Sequence, residues 1–202
     1  MISDLDATIA ALLKNRAPVG SELKGSEVKF DMPDSKWRNQ LNKLTVNCYL
    51  YDIRENTELR THEPLVQRSA DGLRASRVRP PVRIDCAYSI TAWSVANADR
   101  VLEEHRVLSQ VLHVILKHRL IPQADLVGTM TAQPPPYPWL VASSDPSRNM
   151  ADFWKALDQE IKPSLNYVAT LALWLDPIPA DAALTPVVNR VIVNALDLDE
   201  QP

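Results

Sequence analysis

Two cysteines and four histidines are the side chains in this 202-residue sequence best equipped to act as nucleophiles, bases or metal ligands. A catalytic thiol needs a nearby base and an electropositive, partly open setting that holds it as thiolate. Cys48 stands between Val46 and Leu50 in the run TVNCYLYDI, and Cys86 stands between Ile84 and Tyr88 in VRIDCAYSITAW. Two-residue periodicity puts both on the apolar face of a strand, where cysteine serves as a small hydrophobe. The histidines are His62, His105, His113 and His118. His105 follows Val101 by four and precedes Leu108 by three, so it reads as a hydrogen-bonded residue on the apolar stripe of a helix. The last three histidines share no i, i+4 face, and neither HExxH nor a cysteine pair completes a zinc set. The expectation is no metal and no cofactor.

Other catalytic signatures are missing from the sequence. It has no GxSxG, Walker A or GxGxxG motif. The carboxylate pairs Glu103-Glu104 and Asp197/Asp199 read as solvated charge on a helix surface and on a tail. Four glycines against sixteen prolines leave little of the flexible backbone that cradles phosphate. The chain therefore reads as a non-enzyme. Two other readings stand beside this one: a small hydrolase or transferase with an unrecognised site, or a nucleic-acid-binding accessory protein.

Charge is distributed unevenly. The net charge of −3 does not suggest a nucleic-acid binder. Arg68, Arg74, Arg77, Arg79 and Arg83 crowd residues 68–83 with only Asp71 among them, whereas residues 150–202 carry eight acids and three bases. Such polarity could steer head-to-tail self-association. The run Pro134-Pro135-Pro136-Tyr137-Pro138-Trp139 reads as a stiff loop anchoring Trp139 on a neighbouring surface. Arg68, Arg74, Arg77, Arg79, Tyr137 and Trp139 are thus the candidate assembly-interface residues.

Periodicity sets the elements that must position these groups. Residues 2–15 read as a helix capped by Ser3, with Leu5, Ile9, Leu12 and Leu13 on one stripe and Pro18 beyond its end. EVKFD (27–31) is a short strand, and Pro33-Asp34 opens a brief helix holding Trp37 and Leu41. Thr45–Ile53 and Val82–Trp93 are strong strands, the second half-buried by alternation. Between them, residues 57–79 show weak periodicity and read as a long functional loop. Asn97 caps a helix reaching about Leu120, with Val101, Leu108, Val111, Leu112 and Ile115 inward. Residues 123–147 form a second loop region and 150–161 a helix. NYVATLALWL (166–175) is apolar on both faces, as at a sheet centre, and 187–196 is a last strand. The order is α-β-α-β-β-α-α-β-β: an α/β chain of α+β type, with a mixed, mostly antiparallel sheet and flanking helices. Residues 1–202 read as one domain with long loops at about 57–81 and 123–148. The N-terminus has no basic leader and no run is apolar enough to span a membrane, so a cytoplasmic product is expected.

Several stretches, in order along the chain, resemble the cap proteins of extracellular phage-tail-like contractile injection systems, the N-terminal-domain type. They are Ile2–Asp6, Val28–Pro33, Val46–Asn56 (VNCYLYDIREN), Arg79–Val82 with Tyr88–Trp93, Glu104–Leu116, Phe153–Leu157 and Lys162–Tyr167. The resemblance implies a fold similar to phage tail terminators and a ring-forming subunit, a hexamer, at the particle end distal to the baseplate. It implies that the ring ends inner-tube growth and fixes the last sheath ring. The partners it implies are the chain itself, the tube protein and the sheath protein, with no membrane, nucleic acid or cofactor. It implies no catalytic residues. Assembly would take place in the cytoplasm.

Overall fold

The structure, a computed structural model, describes residues 1–68, 74–133, 140–141, 150–175 and 185–186. The chain divides into two compact units, Met1–Leu59 with Val82–Leu173, and Arg60–Pro81 with Trp174–Pro202.

The first unit opens with helix α1 (Ile2–Arg16), which buries Leu5, Ile9, Leu12 and Leu13. Asp4 in its first turn and Lys14 and Arg16 in its last suit the helix dipole. Ser3 lies inside the helix rather than capping it; the cap position is Met1, whose carbonyl accepts from the Leu5 N–H. Ala17 turns extended ahead of Pro18, as a residue before proline must. A one-turn helix α2 (Glu22–Gly25), capped by the Ser21 side chain, precedes strand β1 (Glu27–Lys29). Helix α3 (Ser35–Arg38) starts at Asp34, whose carboxylate accepts from the Trp37 N–H at 2.7 Å. Strand β2 (Thr45–Glu55) follows.

Two strands come next in the chain, β3 (Leu65–Arg68) and β4 (Arg74–Val78), and both belong to the second unit. They pair antiparallel, with Val66 opposite Arg77. The stretch 57–79, expected as a long loop, therefore contains two paired strands. The chain re-enters the first unit through strand β5 (Val82–Trp93) and helix α4 (Arg100–Lys117). Asn97 lies outside that helix, whose cap position is Asp99 in the left-handed conformation, φ 57°. Two 3-10 turns, Gln123–Asp125 and Gly128–Ala132, and a two-residue strand β6 (Leu140–Val141) occupy part of the second expected loop. Helix α5 (Met150–Ala156) stops short of residue 161 because Asp158 reverses the chain at φ 54°. Strand β7 (Leu165–Leu173) completes the first unit. Strand β8 (Thr185–Pro186) pairs with β4 in the second unit. The expected strand at 187–196 and the acidic tail lie outside the described residues.

The large sheet runs β1-β2-β5-β7-β6. Only the β1–β2 pair is parallel, joined by a crossover that carries α3; every other pair is antiparallel. The mixed, mostly antiparallel reading therefore holds, with β5 at the centre and β7 beside it. In the β2–β5 ladder Leu50 faces Tyr88 and Asp52 faces Ala87, so Tyr51 is an extra residue, a bulge. A bulge bends its strand and adds twist. It leaves Tyr49 and Tyr51 both against Phe153 of α5, ring centres 6.3 and 6.0 Å away.

Both faces of the sheet are covered. Leu5, Ile9, Leu12 and Leu13 of α1 and Val107, Val111 and Ile115 of α4 pack on Val46, Cys48, Cys86, Tyr88 and Ile90. Trp93, Trp154 and Leu157 form a second cluster on which Trp37, Leu41, Tyr49 and Phe153 lean. Fully burying one such side chain contributes about 1.5–3 kcal/mol. Strand β5 is thus half-buried only up to Asp85; from Cys86 to Trp93 every residue is buried.

Candidate assembly surface

The thiols are packing groups. Cys48 and Cys86 are free and fully buried, opposite Ile90 and Ala169. Burial pushes the Cys86 thiol up to about 11 and Cys48 higher still, so neither is a thiolate at neutral pH. His105 is exposed, not on the apolar stripe. Among the described residues no three His, Cys, Asp or Glu side chains group as a metal site, and no helix is long and apolar enough to cross a membrane.

The correction at His105 leads to its neighbour. The buried face of α4 is Glu104, Val107, Leu108, Val111, Val114 and Ile115, whereas Val101 is 58% exposed. Glu104, expected as a solvated surface charge, is buried. Its carboxylate accepts from the Ser94 N–H at 3.0 Å and pairs with Lys162. Lys162 in turn lies 4.7 Å from the centre of the Trp93 ring, which Arg38 also approaches at 5.7 Å. An acid in phase with an apolar stripe signals a buried partner; a stripe phased on Val101 turns His105 inward and hides that signal.

Beside Trp93 the first unit has a cavity of about 240 Å³ lined by Arg38, Asn39, Leu41, Trp93, Ser94, Val95 and Arg100. Its lining contains no histidine, cysteine or carboxylate. The Ser94 hydroxyl donates to Glu103.

A second polar network ties α1 to the turns at 122–132. Asp125 is buried and accepts from Asn15 Nδ2 at 2.9 Å and Arg16 Nε at 2.7 Å. Burial pushes its carboxyl up, but these partners outweigh that and hold it below the ordinary range. The Thr8 hydroxyl accepts from the Val127 N–H, and Asp4 accepts from the Thr129 N–H, both at 3.0 Å. Gly128, at φ 57°, admits Asp4 so closely that a Cβ there would lie 2.7 Å from its carboxyl carbon.

Of the six candidate interface residues, strands β3 and β4 carry three. Arg68 pairs with Ala75, Arg77 with Val66 and Arg74 with Pro186. Arg79 is exposed just after β4. Tyr137 and Trp139 lie outside the described residues.

A family model described as the Pvc16 N-terminal domain matches residues 4–188. No curated protein matches the chain. Two solved structures are similar. The sheath/tube terminator of an extracellular contractile injection system, PVC, in the extended state is 23% identical, with a TM-score of 0.60 over 98% of this chain and 65% of its own. The tube-terminating cap of the anti-feeding prophage is 22% identical, with a TM-score of 0.59 over 95% of this chain and 60% of its own. The chain thus spans less than two thirds of the length of either. At these identities the likeness establishes the fold, which is that of tail terminators.

Proposed function

The chain belongs to the Pvc16 N-terminal domain family, and on that premise we propose that it is the structural cap of a contractile injection particle. It forms a ring, a hexamer, on the particle's distal end, ends growth of the inner tube and fixes the last sheath ring. Its partners are other copies of itself, the tube protein and the sheath protein; it binds no nucleic acid. Assembly takes place in the cytoplasm, and the finished particle carries the subunit. The observation that carries this reading is the family match along residues 4–188, joined to terminator-like folding over nearly the whole chain. The protein is not an enzyme on this reading, which the buried, protonated thiols support. Residues 1–202 act as one terminator-like domain.

A terminator must complement the tube on one ring face and refuse a further layer on the other. Arg68, Arg74, Arg77 and Arg79, with Tyr137 and Trp139, supply part of the contact between subunits. Reversing charge at Arg74, Arg77 and Arg79 is expected to weaken ring assembly more at low salt than at high salt, because exposed attractions are already screened beyond ~8–10 Å at physiological ionic strength. Sedimentation at two salt concentrations reads this directly; equal weakening at both would remove the arginines from the interface. The cap role itself is tested by deleting the gene and restoring it, with particle length as the readout.

A further inference from the structure

Trp93 closes the central strand of the first unit; Lys162 and Arg38 approach its ring, and Arg100 lines the cavity beside it. Lys162 is committed to Glu104. Arg38 and Arg100 are exposed, and neither forms an ion pair with any described residue. Both line the cavity of about 240 Å³ with Trp93 and Val95, too small for a drug-sized ligand of ~300–1,000 Å³ but of a size for one or two amino-acid side chains. The two nearby carboxylates offset the positive charge only in part: Glu104 is matched by Lys162 and Glu103 is hydrogen-bonded by Ser94, which leaves two arginines against one unmatched carboxylate. Burial holds the Lys162 amine below its ordinary value; Glu104 acts against this, and Arg38 and Arg100 add smaller lowering effects. Apolar surface adjoins the cations. Val95 lies in the lining, and Val101 and Leu102 follow Arg100 in the first turn of α4, exposed by 42%, 58% and 56%. The buried stripe of α4 leaves these side chains nothing to cover.

We propose that this cavity is a docking site for an acidic peptide segment of a partner protein, one carboxylate entering between Arg38 and Arg100 while flanking apolar side chains cover Val95, Val101 and Leu102. Guanidinium is the group best shaped for a carboxylate, and mixed apolar and cationic surface suits a peptide. A nucleic acid is disfavoured because Trp93, 3% exposed, offers no open face for base stacking. The proposal does not rest on the cap reading, and either can fail alone.

Calorimetric titration of the purified chain tests it. The probe is an end-blocked octapeptide of alternating Leu and Asp, run beside its Asn-for-Asp counterpart and a single-stranded oligonucleotide. The Leu–Asp peptide is expected to bind and the other two are not. Arg100→Gln and Arg38→Ala should each weaken binding about tenfold, one hydrogen-bonded charge pair's worth, and Val101→Ser by a smaller factor. All three positions are exposed, so unfolding temperatures should not move. No binding of the Leu–Asp peptide, equal binding of the Asn peptide, preference for the oligonucleotide, or affinity unchanged by Arg100→Gln would each overturn the proposal.

Discussion

Glu104 occupies a helix position where a leucine would be unremarkable, and what keeps it there is a set of partners rather than water. The Ser94 N–H and the Lys162 amine both point at its carboxylate, and its side chain is 9% exposed against 16% for the lysine. Breaking a buried pair from one side leaves a desolvated charge, which costs about 3–5 kcal/mol, whereas replacing both partners with apolar residues of similar volume is often neutral. Glu104→Leu and Lys162→Met should each destabilise by about that amount in urea titrations, and the double variant should recover most of the loss. Additive losses would mean that the two side chains do not depend on each other. The same residue shows where the sequence could mislead. A helical stripe phased on Val101 puts His105 inside and Glu104 outside; phased on Val107, Val111 and Ile115 it does the reverse, and the second is correct. Both phases contain hydrophobic residues, because Val101 and Leu102 are exposed apolar side chains. Cys48 and Cys86 were readable because strand alternation has a period of two and leaves no such choice.

At the level of elements, α1 is bound to the turns at 122–132 by acids whose titration makes that attachment depend on pH. Asp125 in the folded chain stays below its ordinary value near 3.8. A depressed carboxyl contributes stability that is present above the unfolded value and is lost as pH falls through the folded one. Asp4 and Glu22 are depressed in the same sense, through Thr129 and through Gln110. Asp6 runs the other way: burial raises it despite its 2.8 Å hydrogen bond from the Tyr88 hydroxyl, so it favours folding at the acid end. Asp125→Asn should therefore cost about 1–3 kcal/mol at neutral pH, and the gap to the unaltered chain should close below about pH 4. Thermal melts between pH 3 and 7 would show it; a constant gap would deny Asp125 its ionic role. The α1 stripe of Leu5, Ile9, Leu12 and Leu13 was plain from spacing, and so were the cores of β2 and β5. The pair β3 and β4 was not. Its strands are four and five residues long and rich in arginine, glutamine and serine, and so short a strand pair leaves little periodic signal.

For the whole molecule, the order of elements specified the architecture better than any single segment did. Strands interrupted irregularly by helices exclude a doubly wound parallel sheet, and the five-stranded sheet has one parallel pair at its edge. What sequence periodicity could not supply was the division into two units or the central place of β5, since both depend on contacts between distant residues. The proposed function was legible only through the ordered resemblance, because a subunit that worked by assembling would need no constellation of reactive groups. The length distribution of particles from a strain lacking this chain tests the cap role most directly. The account predicts intact baseplates with tubes and sheaths of irregular length, or particles that fall apart, and a single defined length once the chain is restored. Particles of normal length and normal contraction without it would contradict the account.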